Sequence, residues 1–324
     1  MFINYLTAFN LKNIIQTELA FVLGRILHRP LKMGLPIALS VEPASFCNLH
    51  CPECPSGNGS LTRARELISI ELYEKIINEI APHTVYLTLY FQGEPYLHPD
   101  FTTLINIAHQ KNIYTASSTN AHFLSDENAE KTVRSGLDKL IVSVDGTTQA
   151  VYEKYRTGGN LQEVCEGIKR LVACKKRLKS RTPFVEMQFL VFKHNEHQVS
   201  EIRKMAKELG VNKLSLKTAQ IYDFENGSPL LPARQKYSRY KEMGKGKFIL
   251  RKPLCNRCRR AFTGAVITAD GTVLPCAFDK NGEHAFGNIC EQSFAKIWQG
   301  EKALRFRAQI LQNRKAIEIC RNCV

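Results

Sequence analysis

Hydrophobic and polar positions along the chain fall into two periods that alternate with each other. Runs of period-two or continuous apolar character occur at "PIALSVE" (36–42), "TVYLTLYF" (84–91), "IYTASST" (113–119), "KLIVSVD" (139–145), "FVEMQFLVF" (184–192) and "NKLSLKT" (212–218), and each predicts a strand. Between them, "ELYEKIINEI", "DFTTLINIAHQ", "SDENAEKTVRSG", "NLQEVCEGIKRLVACKK" and "EHQVSEIRKMAKELG" place apolar residues at helical spacing. Asn160 and Glu163 stand in capping-box spacing, and Gly210 closes a helix whose apolar face is Val199, Ile202, Met205, Ala206 and Leu209. Six β-α units imply a parallel sheet, either open and doubly wound or closed as a full or partial barrel.

The two ends depart from this alternation. "MFINYLTAFNLKNIIQTELAFVLGRIL" has no basic start and no small-residue cleavage site, and Asn10, Lys12, Asn13, Gln16, Glu18 and Arg25 interrupt its apolar runs well short of a membrane span. It predicts one or two amphipathic helices covering the main domain of a cytoplasmic protein. After about residue 250, Asp270-Gly271 between two apolar runs predicts a hairpin with Cys276 at the end of its second strand. "SFAKIWQGEKALRFRAQIL" then predicts helix, with Trp298 on an apolar, core-facing side.

In β/α barrels, chemistry collects in the loops that leave the C-terminal ends of the strands. Cys47, Cys51 and Cys54, spaced C-x3-C-x2-C, follow the first strand. Glu94 follows the second, Ser118, Thr119 and Asn120 the third, and Ser143 and Asp145 the fourth. Arg156 lies in the next loop, and Gln188 and Asn195 belong to the fifth strand and its exit. Each has a plain local explanation: Asp145-Gly146 as a turn, Asn195 as a cap, Glu94 as a solvated carboxylate. Their convergence on one rim does not follow from those explanations. Three thiols also leave one place open in a site that takes four ligands; a zinc site completed by His50 or a distant thiol is the alternative to an iron-sulfur cluster.

Composition narrows the class. A chain of 324 residues, 44% hydrophobic and 23% charged, can bury a large core. Its formal charge of +15 is spread over helices and loops, and "KKRLKSR" (175–181) reads as a solvated helix end, so no nucleic-acid function is expected. Eleven cysteines without a signal peptide point to metal or cluster ligation ahead of disulfides.

"CNLHCPEC", followed in order by "GEP", "TN" and "SVDG", resembles the radical S-adenosylmethionine (radical SAM) superfamily from about residue 36 to the end. The resemblance implies that Cys47, Cys51 and Cys54 hold three irons of a 4Fe-4S cluster whose fourth iron chelates S-adenosylmethionine. It implies reductive cleavage of that cosubstrate to a 5'-deoxyadenosyl radical that abstracts a substrate hydrogen, and an electron donor such as flavodoxin or ferredoxin. It assigns Glu94 to the methionyl amino group, Arg156 to the carboxylate, and Ser143 and Asn120 to ribose or carboxylate contacts. Glu53 stands where many members carry an aromatic residue, which puts the usual adenine contact in doubt.

The tail resembles the SPASM and twitch extensions of such enzymes. Cys258, Cys276 and the pair Cys320-x2-Cys323 are the implied ligands of one auxiliary 4Fe-4S cluster, since the dense cysteine run of two-cluster tails is absent. Cys255 competes with Cys258, and a zinc ribbon on Cys255, Cys258, Cys320 and Cys323 is the rival arrangement. Cys165 reads as core, and Cys174 and Cys290 as incidental. The expected class is α/β, a partial (β/α)6 TIM-like barrel with a small C-terminal α+β iron-sulfur domain containing a β-hairpin. The expected boundaries are 1–35 for a helical extension, 36–245 for the core and 246–324 for the auxiliary domain.

Two function classes remain: a radical enzyme acting on a small molecule or peptide, and a non-catalytic iron-sulfur or zinc protein. The rim residues are needed by the first and idle in the second. His98, His122, Asp279 and His284 are candidate proton-handling groups, each with a solvated-loop alternative. Neither nucleic acid nor a membrane is expected as a partner.

Overall fold

The computed structural model describes residues 5–323; residues 1–4 of the expected N-terminal extension lie outside them. Eleven strands occur in this range: β1 (Ala38–Val41), β2 (Tyr86–Thr88), β3 (Tyr114–Thr119), β4 (Lys139–Ser143), β5 (Phe184–Val191), β6 (Lys213–Thr218), β7 (Tyr240–Gly244), β8 (Lys247–Leu250), β9 (Gly264–Ile267), β10 (Thr272–Leu274) and β11 (Gly287–Asn288). The first six are those the apolar runs predict. The five predicted helices follow β1 to β5 in turn, as Ile70–Ile80, Phe101–Gln110, Asp126–Arg134, Leu161–Arg177 and Val199–Glu208. The α/β class is thus the one expected.

Local chemistry explains the boundaries. Ser69 and Ser125 accept the N–H groups of Leu72 and Asn128 at their helix starts, and Asn160 accepts those of Gln162 and Glu163. Gly210 ends its helix in the left-handed region at φ 70°.

The chain forms two compact units. Among the described residues the first comprises 5–46, 61–116 and 254–323, the second 47–60 and 117–253. In the first, β1, β2 and β3 pair in parallel register, and β9 adds to β1 in parallel from Ala38↔Gly264 to Val41↔Ile267. The predicted hairpin is present: β10 turns back on β9 antiparallel, with Gly271 at φ 85°, and β11 follows β10. Trp298 is core, 3% exposed, with the Arg307 guanidinium over its ring. In the second unit β4, β5 and β6 pair in parallel. The β7–β8 hairpin, which sequence analysis does not anticipate, turns through Gly244-Lys245-Gly246, all at positive φ.

The N-terminal helix α1 (Ala8–Ile26) forms as one helix, started by Thr7 and Asn10 in a reciprocal cap. Its facing reverses the expectation. The buried side carries Asn10, Asn13, Thr17, Ala20 and Gly24, and the apolar side faces outward. The buried amides have partners: Asn13 Nδ2 donates to the Leu35 carbonyl at 2.9 Å and its Oδ1 accepts the Leu35 N–H at 2.8 Å, while Asn10 Nδ2 reaches the Pro82 carbonyl at 3.2 Å. Satisfied side-chain hydrogen bonds make a polar face buriable.

Candidate functional sites

The loop after β1 brings Cys47, Cys51 and Cys54 into the second unit. It closes on a single helical turn, Pro55–Asn58, begun by Cys54 with proline at the first helical position. Gly57 makes this closure possible, because a Cβ there would stand 2.6 Å from the Cys51 nitrogen and 2.9 Å from its carbonyl oxygen. The carbonyl of Cys51 accepts the N–H of Cys54 and that of Cys54 accepts the N–H of Gly57, so the backbone winds around the three thiols.

Hydrogen-bond donors are aimed at the sulfurs. The Leu49 N–H lies 3.4 Å from Cys47 Sγ, Asn120 Nδ2 3.7 Å from the same sulfur, and Arg156 Nη1 3.8 Å from Cys51 Sγ. Cys51 is buried among Leu49, Tyr155, Phe192 and Ile221. Burial pushes its thiol up and the Arg156 charge pulls it back down. Dry surroundings with donors on sulfur suit a thiolate neutralised by metal rather than a free thiolate.

Of the other predicted rim residues, Asn120 and Arg156 therefore meet the cysteine loop. Arg156 is oriented by fully buried Asp145, whose Oδ2 accepts from Nε at 2.6 Å and whose Oδ1 accepts the Leu190 N–H at 2.6 Å. Asn195 proves structural: its Nδ2 holds the Asp145 carbonyl at 2.9 Å and its Oδ1 accepts the Phe192 N–H at 2.7 Å. Ser143 ends β4, buried beside Gln188 of β5. Glu53, the departure from the family pattern, accepts the Tyr222 N–H at 3.0 Å and brings that tyrosine to Cys54.

His122 is linked into the same network. Its Nε2 accepts the Asn160 N–H at 2.8 Å, so Nδ1 carries the proton and donates to Asn120 Oδ1 at 3.0 Å. Asn120 Nδ2 in turn donates to Asn48 Oδ1 at 2.7 Å. Burial pushes the His122 imidazole below its ordinary range, which favours its neutral form.

Glu94 belongs to the first unit. It is buried, its carboxylate accepts the Tyr96 N–H at 3.2 Å and its own N–H reaches the Phe46 carbonyl at 2.9 Å. Gly93 precedes it at φ 73°, where a Cβ would stand 2.5 Å from the Phe46 carbonyl oxygen. Sequence reasoning missed the pair nearby. Glu42, fully buried at the end of β1, accepts both Arg63 Nη groups at 2.7 and 2.8 Å and the N–H groups of Gln92 and Ala269. A carboxylate closing a strand was the available signal, but its cation lies 21 residues away.

The tail cysteines form a second site within the first unit. Cys258, Cys276, Cys320 and Cys323 all line one cavity of about 470 Å³, together with residues of β1, β2 and β9. Cys255 is exposed and is not part of that wall. Burial pushes the Cys276 thiol up to about 12 and that of Cys320 up to about 11. The buried Arg314 guanidinium lies beside Cys258, Cys320 and Cys323, a cation that sequence analysis did not single out. Among the described residues no three Cys, His, Asp or Glu converge as a single metal ion requires.

The remaining candidates have structural explanations. His98 is buried, with Nε2 on the Ile68 carbonyl at 2.8 Å and Nδ1 accepting the Asp100 N–H. Asp279 caps a turn through the N–H groups of Glu283 and His284, and His284 pairs with Glu318. Cys174 is buried, Cys165 half-buried and Cys290 exposed.

The model for the "Radical SAM superfamily" matches residues 41–206, and that for SPASM, "Iron-sulfur cluster-binding domain", matches residues 239–324. The chain is 26% identical over 283 residues to the PqqA peptide cyclase of Gluconobacter oxydans, covering 81% of this chain and 76% of that one. It is 26% identical over 299 residues to the tungsten-containing aldehyde ferredoxin oxidoreductase cofactor-modifying protein of Pyrococcus furiosus, covering 83% and 82%. Streptococcus suis SuiB bound to S-adenosylmethionine shares the fold with a TM-score of 0.66 at 15% identity, over 85% of this chain and 68% of that one.

Proposed function

The chain belongs to the radical SAM superfamily and carries a C-terminal SPASM domain, and from that premise we propose that it modifies a peptide side chain by hydrogen abstraction. It is an enzyme that uses a 4Fe-4S cluster and S-adenosylmethionine, with auxiliary iron-sulfur in the tail. In the proposed assignment Cys47, Cys51 and Cys54 hold the first cluster, and Cys258, Cys276, Cys320 and Cys323 hold one auxiliary cluster. With S-adenosylmethionine, the first cluster supplies reductive cleavage to a 5'-deoxyadenosyl radical.

The observation that carries the reading is the donor set on the loop sulfurs, from Leu49, Asn120 and Arg156. Such donors stabilise negative charge on sulfur and tune a cluster's potential. Asp145 holds Arg156 in place, and His122 holds Asn120, so both donors are preorganised. Ser143 and Glu94 are assigned to S-adenosylmethionine through the "SVDG" and "GEP" motifs. The tail site is assigned to accept an electron from the substrate or to bind it. A peptide substrate is favoured by the cyclase relative, whose name gives one.

The test is anaerobic reconstitution, reduction with dithionite and measurement of 5'-deoxyadenosine. Wild type is expected to form it, and deuterium from a synthetic PqqA peptide with deuterated side chains is expected to enter it. Absence of 5'-deoxyadenosine despite full iron loading overturns the enzyme reading; its formation without deuterium transfer from that peptide overturns the peptide assignment.

A further inference from the structure

Helix α1 turns an apolar side to solvent. Nine of the thirteen large hydrophobic residues exposed among the described residues lie between Leu6 and Leu27. At 100° per residue, Leu11, Ile15, Leu19, Val22, Ile26 and, at the edge, Phe9 sweep about 160° of the helix. The opposite side is bound to the body by Asn13 and Thr17, which hydrogen-bond the Leu35 carbonyl. The helix is therefore held in place by its polar face, and an apolar strip about 28 Å long is left over.

Charge indicates what covers it. Glu18 is the single acidic residue in positions 1–35 and is already paired with Arg259. Lys12, Arg25, Arg29 and Lys32 are exposed around the strip. The neighbouring turn Arg260–Thr263, whose Phe262 ring packs 5.5 Å from that of Phe21, and the residues just before it add exposed Arg257 and Arg260. A second copy would bring the same +15 charge. A helical partner covers a narrower seam than 160° and would bury Lys12, which projects from within the strip. A bilayer surface covers the whole width, lets a lysine stem extend to the headgroups, and supplies anions for the surrounding cations.

We propose that α1 is a monotopic membrane-docking helix that lies flat on an anionic phospholipid surface, with Ile15, Val22 and Ile26 in the acyl boundary and Arg25, Arg29 and Lys32 among the headgroups. Docking of this kind needs no spanning helix, and no helix among the described residues is long and apolar enough to cross a membrane.

The test is flotation of the reconstituted holoenzyme with vesicles of phosphatidylglycerol and phosphatidylcholine, against vesicles of phosphatidylcholine alone. Wild type floats with the anionic vesicles and is released by salt. The Ile15→Gln/Val22→Gln/Ile26→Gln variant and the Arg25→Ala/Arg29→Ala/Lys32→Ala variant each lose at least about tenfold in partitioning. All these positions are exposed, so circular dichroism, Tm and iron content stay those of wild type. Three results overturn the proposal: wild type remaining in solution with both vesicle types, the glutamine variant floating as well as wild type, or light scattering showing a lipid-free wild-type dimer that the glutamine variant turns into a monomer.

Discussion

The two cysteine sites are built in opposite ways. The loop site takes three thiols from eight consecutive residues and sets them by a backbone turn around Gly57. The tail site takes four thiols spread from Cys258 to Cys323 and sets them by the packing of a hairpin, a helix and the chain's last turns around a cavity. Both place an arginine beside sulfur, half-buried Arg156 in the first and buried Arg314 in the second. The common element is electrostatic: buried thiols resist ionisation, and a guanidinium offsets part of that cost before a metal completes it. The difference is where the geometry is stored, in local backbone for one and in tertiary packing for the other.

The largest effect expected from disabling either site alone is on activity. Cys51→Ala should abolish 5'-deoxyadenosine formation while retaining about four irons in the tail. Cys320→Ala should lose the tail iron and keep the loop's, and Cys255→Ala should lose neither. Iron counts on the three variants decide whether the sites are independent; loss of all iron in Cys320→Ala would show that they are not.

Next in size is a pH effect on the unit that carries the tail. His83 is buried against Phe294, its Nε2 has no hydrogen-bond partner among the described residues, and burial pushes it down to about 4. Its unfolded value is about 6.5, so the unfolded chain takes up the proton first. The stabilisation is complete above about pH 6.5 and is lost as pH falls toward 4, by about 2 kcal/mol at pH 5. Urea unfolding at pH 7.5 and pH 5 should show this loss in wild type and a smaller one in His83→Leu.

Gly57→Ala tests the local storage of the loop site. The added Cβ meets backbone at 2.6 Å, and overpacking of this kind costs about 1–3 kcal/mol. Loop iron should fall while tail iron is unchanged, measured by selective loss of the electron paramagnetic resonance signal that Cys51→Ala also removes. The smallest effect is expected from Asn120→Ala, which deletes a donor to Asn48 and Cys47 for about 1 kcal/mol. Removing an N–H from sulfur disfavours the more negative, reduced state, so a redox titration should find the loop cluster's potential lowered and the tail's unmoved.

What could be read from sequence alone was whatever short segments encode. The six strands and five helices of the β-α repeats follow from apolar period, since solvent sorts side chains along a single element. The Asp270-Gly271 hairpin follows from turn chemistry, and the clustering of the loop thiols from their spacing, because three thiols within eight residues leave the backbone few ways to present them. The tertiary structure alone decided the facing of α1, where the carbonyls of Leu35 and Pro82 satisfy Asn13 and Asn10. It decided the Glu42–Arg63 pair, the placing of Arg314 among the tail thiols, and the choice of Cys258 over Cys255 for the cavity wall. In each of these a buried polar group or thiol depends on a partner distant in the chain. The cost of burial is offset only by that partner, and residue order does not say which groups the fold will bring together.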